Sequence, residues 1–268
     1  MSDSRIFARL RPGRRYWAVA AVHGEAARLA ALHRALARRF APGDRLVYLG
    51  NLMGHGPAVG PTLDEVIAFR RRLLARPGLF VCDLAFLRGS QEEMWDKLLR
   101  LQMAPNPAEV LDWMLARGVG ATLAAYDGAA EEGRACARAG ALAITRWTNS
   151  LRARMRARPG HAELMAALRR AAYVEAAEGG LLFVHTGLDP SRPLSAQADS
   201  FWWESARFAA LEAPFEGFRK VVRGFDPAHG GLVEGPVTLS LDGGCGFGGP
   251  LLAACLDPAG RVVDLIEA

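Results

Sequence analysis

Lysine is nearly missing from this chain: of its 33 basic residues only Lys97 and Lys220 are not arginine. A net charge of +5 built almost wholly from arginine, in a sequence rich in Ala and Gly, reads as compositional bias and makes nucleic acid an unlikely partner. Paired cysteines are missing too. Cys82, Cys136, Cys245 and Cys255 form no CxxC pair, so reduced thiols in a cytoplasmic protein are expected. Long apolar runs are absent. After an Arg-rich stretch from Met1 to Arg15, the run Tyr16 to Val22 stops at His23, short for a signal-peptide core and far too short to span a membrane, and reads better as a buried strand. No membrane partner is expected. Repeats and low-complexity segments are lacking as well. What remains is a chain of 268 residues, 51% hydrophobic, long enough for one substantial core.

The hydrophobic pattern alternates between strand and helix. Tyr16 to Val22 reads as a strand buried on both faces, and Glu25 to Phe40 as a helix with Leu29, Leu32, Leu36 and Phe40 on one stripe. A strand from Arg45 to Gly50, a helix from Thr62 to Ala75 and a strand from Leu79 to Leu87 follow. Thr62 and Glu65 have the spacing of a capping box. Residues 91–179 read as a helical insert or cap, helical in pattern from Thr122 to Glu178. Strands resume at Leu181 to Thr186, Lys220 to Arg223, Val237 to Leu241, Leu251 to Leu256 and Val262 to Ile266, the last two joined by a hairpin turn at Asp257-Pro258-Ala259-Gly260. Short turns between alternating elements imply parallel strands and an α/β sandwich.

Five blocks punctuate this pattern: Ala20-Ala21-Val22-His23-Gly24, Gly50-Asn51-Leu52-Met53-Gly54-His55-Gly56, Leu87-Arg88-Gly89-Ser90-Gln91-Glu92, Val184-His185-Thr186-Gly187 and Val222-Arg223-Gly224-Phe225-Asp226. Their order and spacing resemble the calcineurin-like metallophosphoesterases, in particular the bacterial serine/threonine protein phosphatase and symmetrical diadenosine tetraphosphate hydrolase branch. Gly187-Leu188-Asp189-Pro190 and the loop from Leu241 to Gly249 extend the resemblance. It implies a single domain over 1–268: two mixed β-sheets face to face, flanked by helices, with the helical insert over a cleft.

The resemblance also implies which side chains a two-metal site would need. Two cations about 3.5–4 Å apart require a bridging carboxylate, and the metal-bound hydroxide attacks phosphorus. The family's first metal takes an Asp and a His, here Ala21 and His23, plus the bridge, here Asn51. The second metal takes the bridge, an Asn and two His, here Ser90, His185 and Phe225. The family's acid is Gln91, its phosphate-gripping Arg is His55, and its usually structural Arg is Arg88. An amide is isosteric with the bridging carboxylate but neutral, and its nitrogen has no lone pair for a metal.

The reading carried forward from the residues is therefore a pseudo-phosphatase with no metal, acting by binding a protein or another acidic or phosphorylated ligand. The alternative is an active phosphoesterase holding one divalent metal (manganese, zinc or iron) on His23, His185 and either Asp226 or His229. A third is an Arg-rich nucleic-acid-associated protein. Cleft candidates are His23, Asn51, His55, Arg88, His185, Trp203, Arg207 and Asp226, with Asn51, His55, Ser90 and Gln91 as remnants of catalytic positions. Each imidazole is either hydrogen-bonded in the cleft or a ligand. Two adjacent tryptophans, Trp202 and Trp203, cannot both face one core from a helix, so one is expected at a groove or an interface. Cys245 reads as a buried thiol.

Overall fold

A computed structural model describes residues 6–177 and 179–268. Part of the Arg-rich start and Glu178, the last position of the expected helical stretch, lie outside the described residues.

Two mixed sheets pack face to face. The first holds β2 (Arg15–Val19), β3 (Asp44–Tyr48) and β4 (Leu84–Phe86) in parallel, with β10 (Leu252–Leu256) and β11 (Val262–Glu267) added antiparallel, in the order β11-β10-β2-β3-β4. The second runs β1 (Phe7–Arg9), β5 (Ala171–Val174), β6 (Gly180–Val184), β7 (Phe218–Arg223), β9 (Thr238–Asp242), β8 (Gly231–Glu234). Within it β6, β7 and β9 are parallel. Val19 and Val47 from one sheet and Phe183, Val222 and Leu241 from the other share one buried core. Strands apolar on both faces occur because helices cover the outer sides.

Helix α1 (Ala26–Arg39) buries Leu29, Leu32, His33 and Leu36, the stripe that its period predicts. Helix α2 (Val59–Leu74) starts before the expected cap at Thr62. Pro61 sits in its first turn, where a missing N–H leaves no bond unmade. Thr62 is instead buried and donates back to the Ala58 carbonyl, while Glu65 turns to His33 and Arg72. Strand β4 is shorter than expected because Val81–Asp83 form a 3-10 turn. Buried Asp83 pairs there with Arg11 and Arg45.

Six helices follow: α3 (Ser90–Leu98), α4 (Pro107–Leu115), α5 (Val119–Ala125), α6 (Ala130–Ala139), α7 (Ala141–Ala157) and α8 (His161–Ala167). The sequence pattern read on as helix to residue 178, but 171–174 is a strand, β5. Its alanines have high helix propensity; pairing with β1 and β6 overrides it. Strands β1 and β8 were also not legible. The arginines of α7 are partly structural. Arg152 donates to the Leu99 carbonyl, and Arg154 to those of Tyr126 and Asp127. Two short helices, α9 (Ser200–Trp203) and α10 (Ser205–Phe208), complete the set. Trp202 packs in a second, smaller core with Phe7, Phe201 and Phe208, while Trp203 faces outward.

The two sheets come into close contact where β3 and β7 end. A Cβ on Gly224 would lie 2.2 Å from the Leu49 Cβ, so only glycine fits there. The C-terminal ends of β2, β3, β4, β6 and β7 thereby open at one rim, the place where open α/β sheets bind ligands.

Candidate functional site

Four of the residues at that rim have left-handed backbones although none is glycine: His23 (φ 54°), Asn51 (φ 51°), His55 (φ 46°) and His229 (φ 49°). Each such residue costs on the order of 1 kcal/mol, and such strain concentrates at functional sites. The loops after β3 and β4 are tied by buried Glu92. Its carboxylate accepts the backbone N–H groups of Gly89 (2.7 Å), Asn51 (2.9 Å) and Met53 (3.0 Å). Burial pushes its pKa up, and those three donors oppose the shift.

Asn51 is fully engaged. Its Oδ1 accepts from the Gln91 backbone N–H (2.9 Å) and the Ser90 hydroxyl (3.2 Å), which fixes the amide orientation. Its Nδ2 therefore faces His23 Nε2 at 3.3 Å and donates to it. The His23 proton then sits on Nδ1, which is buried without a partner. Burial, followed by the neighbouring imidazoles of His55, His185 and His229, holds the His23 pKa well below its ordinary value. His55 is lowered in the same way, by burial and then His229.

His185 donates Nδ1–H to the Leu49 carbonyl at 2.8 Å, leaving Nε2 buried and unpartnered. Burial lowers its pKa to about 4. The Phe225 ring lies stacked on His185 (centroids 5.6 Å apart) and edge-on to His23 (5.7 Å). Phe225 is thus packed against both imidazoles. On the outer side Phe247 meets His23, His55 and His229 at 5.2, 4.5 and 4.5 Å. It can do so because its Gly-rich loop lies on His23: a Cβ on Gly246 (φ +88°) would sit 2.4 Å from the His23 Cβ. That loop packs by close backbone approach.

The carboxylates nearby are committed elsewhere. Asp226 pairs with buried Arg223 and accepts from the Ala228 N–H. Asp242 accepts from His229 Nδ1 (2.9 Å) and from the backbone N–H groups of Asp226 and Gly244. Among the described residues no group of three or more His, Cys, Asp and Glu side chains is placed to hold a metal ion.

A cavity of about 300 Å³ opens at this rim. Of the residues singled out from sequence, His23, Asn51, His55, Ser90, Gln91 and Trp203 line it together with Phe225. The remaining five are placed elsewhere. His185 lies behind Phe225, and His229 is turned to Asp242. Arg88 pairs with Glu93 and Asp96 while its carbonyl accepts from Trp202 Nε1. Arg207 pairs with Asp189 and Glu204. The Asp189 pKa falls to about 2, chiefly through the Ser191 hydroxyl and N–H and then through Arg207. Asp226 is held by Arg223. Three contributors were not anticipated: Glu92 as a loop anchor, Phe247 as a cover, and Arg117, which lines the cavity and whose carbonyl accepts from Gln91 Nε2. The spacing of Trp113 and Arg117, one turn apart on a helix, was the available signal for the last.

Among solved structures, the chain is similar over 98% of its length to a protein provisionally described as a diadenosine tetraphosphatase, at 20% identity over 97% of that chain, with a TM-score of 0.53. Over 99% of its length it is similar to a serine/threonine phosphatase from Saccharomyces cerevisiae, at 16% identity over 82% of that chain, TM-score 0.52. A cold-active protein tyrosine phosphatase of a psychrophilic Shewanella species matches all of it, at 13% identity over 84% of that chain, TM-score 0.50. No family model and no curated protein sequence matches the chain. At these identities the likeness establishes the fold alone: a sandwich of two mixed sheets flanked by helices.

Proposed function

We propose that this protein is a pseudo-phosphatase, whose cleft binds a ligand without hydrolysing it by two-metal chemistry. One observation carries the reading. The bridging position holds an amide that turns an N–H into the His23 lone pair, where a metal bridge would turn an oxygen toward a shared ion. The donor set fits no metal pair. Ala21 and Phe225 offer no ligand atom, Ser90 is bonded to Asn51, and Asp226 and Asp242 already hold Arg223 and His229. Two repelling cations need anionic ligands that this set lacks. No step through a metal is therefore assigned, and the role is binding of a protein or of a small acidic or phosphorylated ligand. Reduced thiols and the absence, among the described residues, of a helix long and apolar enough to cross a membrane suit the same proposal of a cytoplasmic protein.

The test is turnover of 4-nitrophenyl phosphate and of phosphopeptides with added manganese, read beside elemental analysis of the purified protein. Turnover should be absent, and a chelator should change nothing. Robust chelator-sensitive turnover would overturn the proposal.

One observation favours a second reading, an active single-metal phosphoesterase. His23 Nδ1 and His185 Nε2 are both buried with no partner. A metal held there together with Asp226 or His229 requires the Arg223 or Asp242 pair to open, the His23 proton to move from Nδ1 to Nε2 and the Asn51 amide to reverse. Stoichiometric manganese, zinc or iron, lost on His185→Gln, would support this reading over the first.

A further inference from the structure

Beside the polar cavity runs a larger apolar groove of about 580 Å³, in the volume range that buries a drug-sized ligand. Helices α3, α4 and α9 form it. Met94 is its floor and Trp203 one wall, and both residues also line the polar cavity, so the two spaces adjoin. Trp113 continues that wall, its ring in edge-to-face contact with Trp203 at a centroid distance of 5.8 Å. Each tryptophan is 40% exposed, so a large aromatic surface stays open to solvent that neither core needs.

Charge is arranged unevenly around this groove. Lys97 pairs with Glu93 (3.5 Å) and Asp199 (3.3 Å), while Glu109 accepts from Asn106 and has no cationic partner among the described residues. Arg117 stands at the junction with the polar cavity and pairs with no carboxylate among the described residues. Its guanidinium lies 4.1 Å from the Trp113 ring centroid and donates to the Trp113 carbonyl. A guanidinium stacked on an aromatic ring is held in place with donors to spare, and its planar fork suits an oxyanion.

We propose that this groove binds a small apolar anion, with an aromatic or aliphatic body laid against the touching Trp113 and Trp203 rings over Met94 and its single acidic group on Arg117. At the junction an acid fits better than a cation, since Arg117 is the one Arg, Lys, Asp or Glu side chain that lines the polar cavity. An acid also fits better than a neutral body, which would leave Arg117 unused. The inference does not depend on whether the neighbouring cleft hydrolyses anything.

Calorimetric titration tests it with four probes of one shape: 2-naphthoate, 2-naphthyl phosphate, 2-naphthamide and 2-naphthylmethylammonium. One site is expected to take the anions at least about tenfold more tightly than the amide, as a charge-assisted bond implies, and the ammonium least of all. Arg117→Gln should remove that preference and leave the amide unchanged. Trp203→Ala should weaken acid and amide alike. Whichever of naphthoate and naphthyl phosphate binds more tightly identifies the acidic group, provided that Arg117→Gln weakens it. Release of naphthol from the phosphate would sink the pseudo-phosphatase reading but not this one. Equal binding of all four probes, no binding of either anion, or an unchanged preference in Arg117→Gln would overturn it. Both substitutions are at exposed positions, and an unaltered melting curve for either suffices to read the result.

Discussion

Acidification should destabilise this protein well before its carboxylates titrate. His33 and His185 are buried in their neutral forms, and burial takes each pKa from 6.5 to about 4; for His33 the bond to Glu65 opposes the shift without reversing it. The sign follows from linkage. The unfolded chain binds the extra proton first, so this stability is complete above pH 6.5 and drains away as pH falls toward 4. At pH 5.5 an unfolded histidine is about nine-tenths protonated and the folded ones are hardly protonated, a loss of about 1.4 kcal/mol for each histidine. Together they cost about 3 kcal/mol between pH 8 and pH 5.5, against a total stability of about 5–15 kcal/mol. His23, lowered well below its ordinary value, adds to the loss in the same direction. Urea unfolding followed at pH 8, 6.5 and 5.5 measures it. His185→Gln keeps a polar group at the site and should reduce the pH dependence by about 1.4 kcal/mol. Equal midpoints at pH 8 and 5.5, or an unchanged dependence in His185→Gln, would refute the assignment of buried neutral imidazoles.

Other consequences concern the rim. Glu92→Gln replaces the acceptor of three backbone donors and should lower stability by about 2 kcal/mol, seen as a fall in Tm with loss of order in the loops after β3 and β4. Gly224→Ala forces a methyl group against the Leu49 Cβ and should cost about 3 kcal/mol, measurable by the same denaturation. Burial raises the thiols of Cys245 and Cys255 to about 12, whereas Cys82 is exposed. A thiol reagent should therefore modify Cys82 at once in the native protein and reach Cys245 and Cys255 only on unfolding; fast modification of Cys245 would contradict the packing described.

The fold was legible because its determinants are local and repeated. Apolar runs ending in glycine marked β2 and β3, and the five blocks kept the order and spacing of the strand ends. What escaped depends on partners distant in sequence. Strand β5 is spelled Ala-Ala-Tyr-Val, and only its place between β1 and β6 makes it a strand. Thr62 had the spacing of a cap, but Pro61 allows the helix to begin earlier. The identity of each side chain at the rim was readable, and so was the likelihood that one of Trp202 and Trp203 faces outward. Side-chain commitments were not. Asp226 belongs to Arg223, Arg207 to Asp189, and His229 to Asp242, through contacts that no spacing rule contains. Glu92 illustrates the reverse: a carboxylate beside the remnant metal-ligand positions binds backbone N–H groups.

The most direct measurement is anomalous scattering from crystals grown in millimolar manganese. With Asn51 donating to His23 and Phe225 packed against both imidazoles, no pair of manganese peaks should appear at the rim. Two well-occupied ions bridged at Asn51 would contradict the account at its centre.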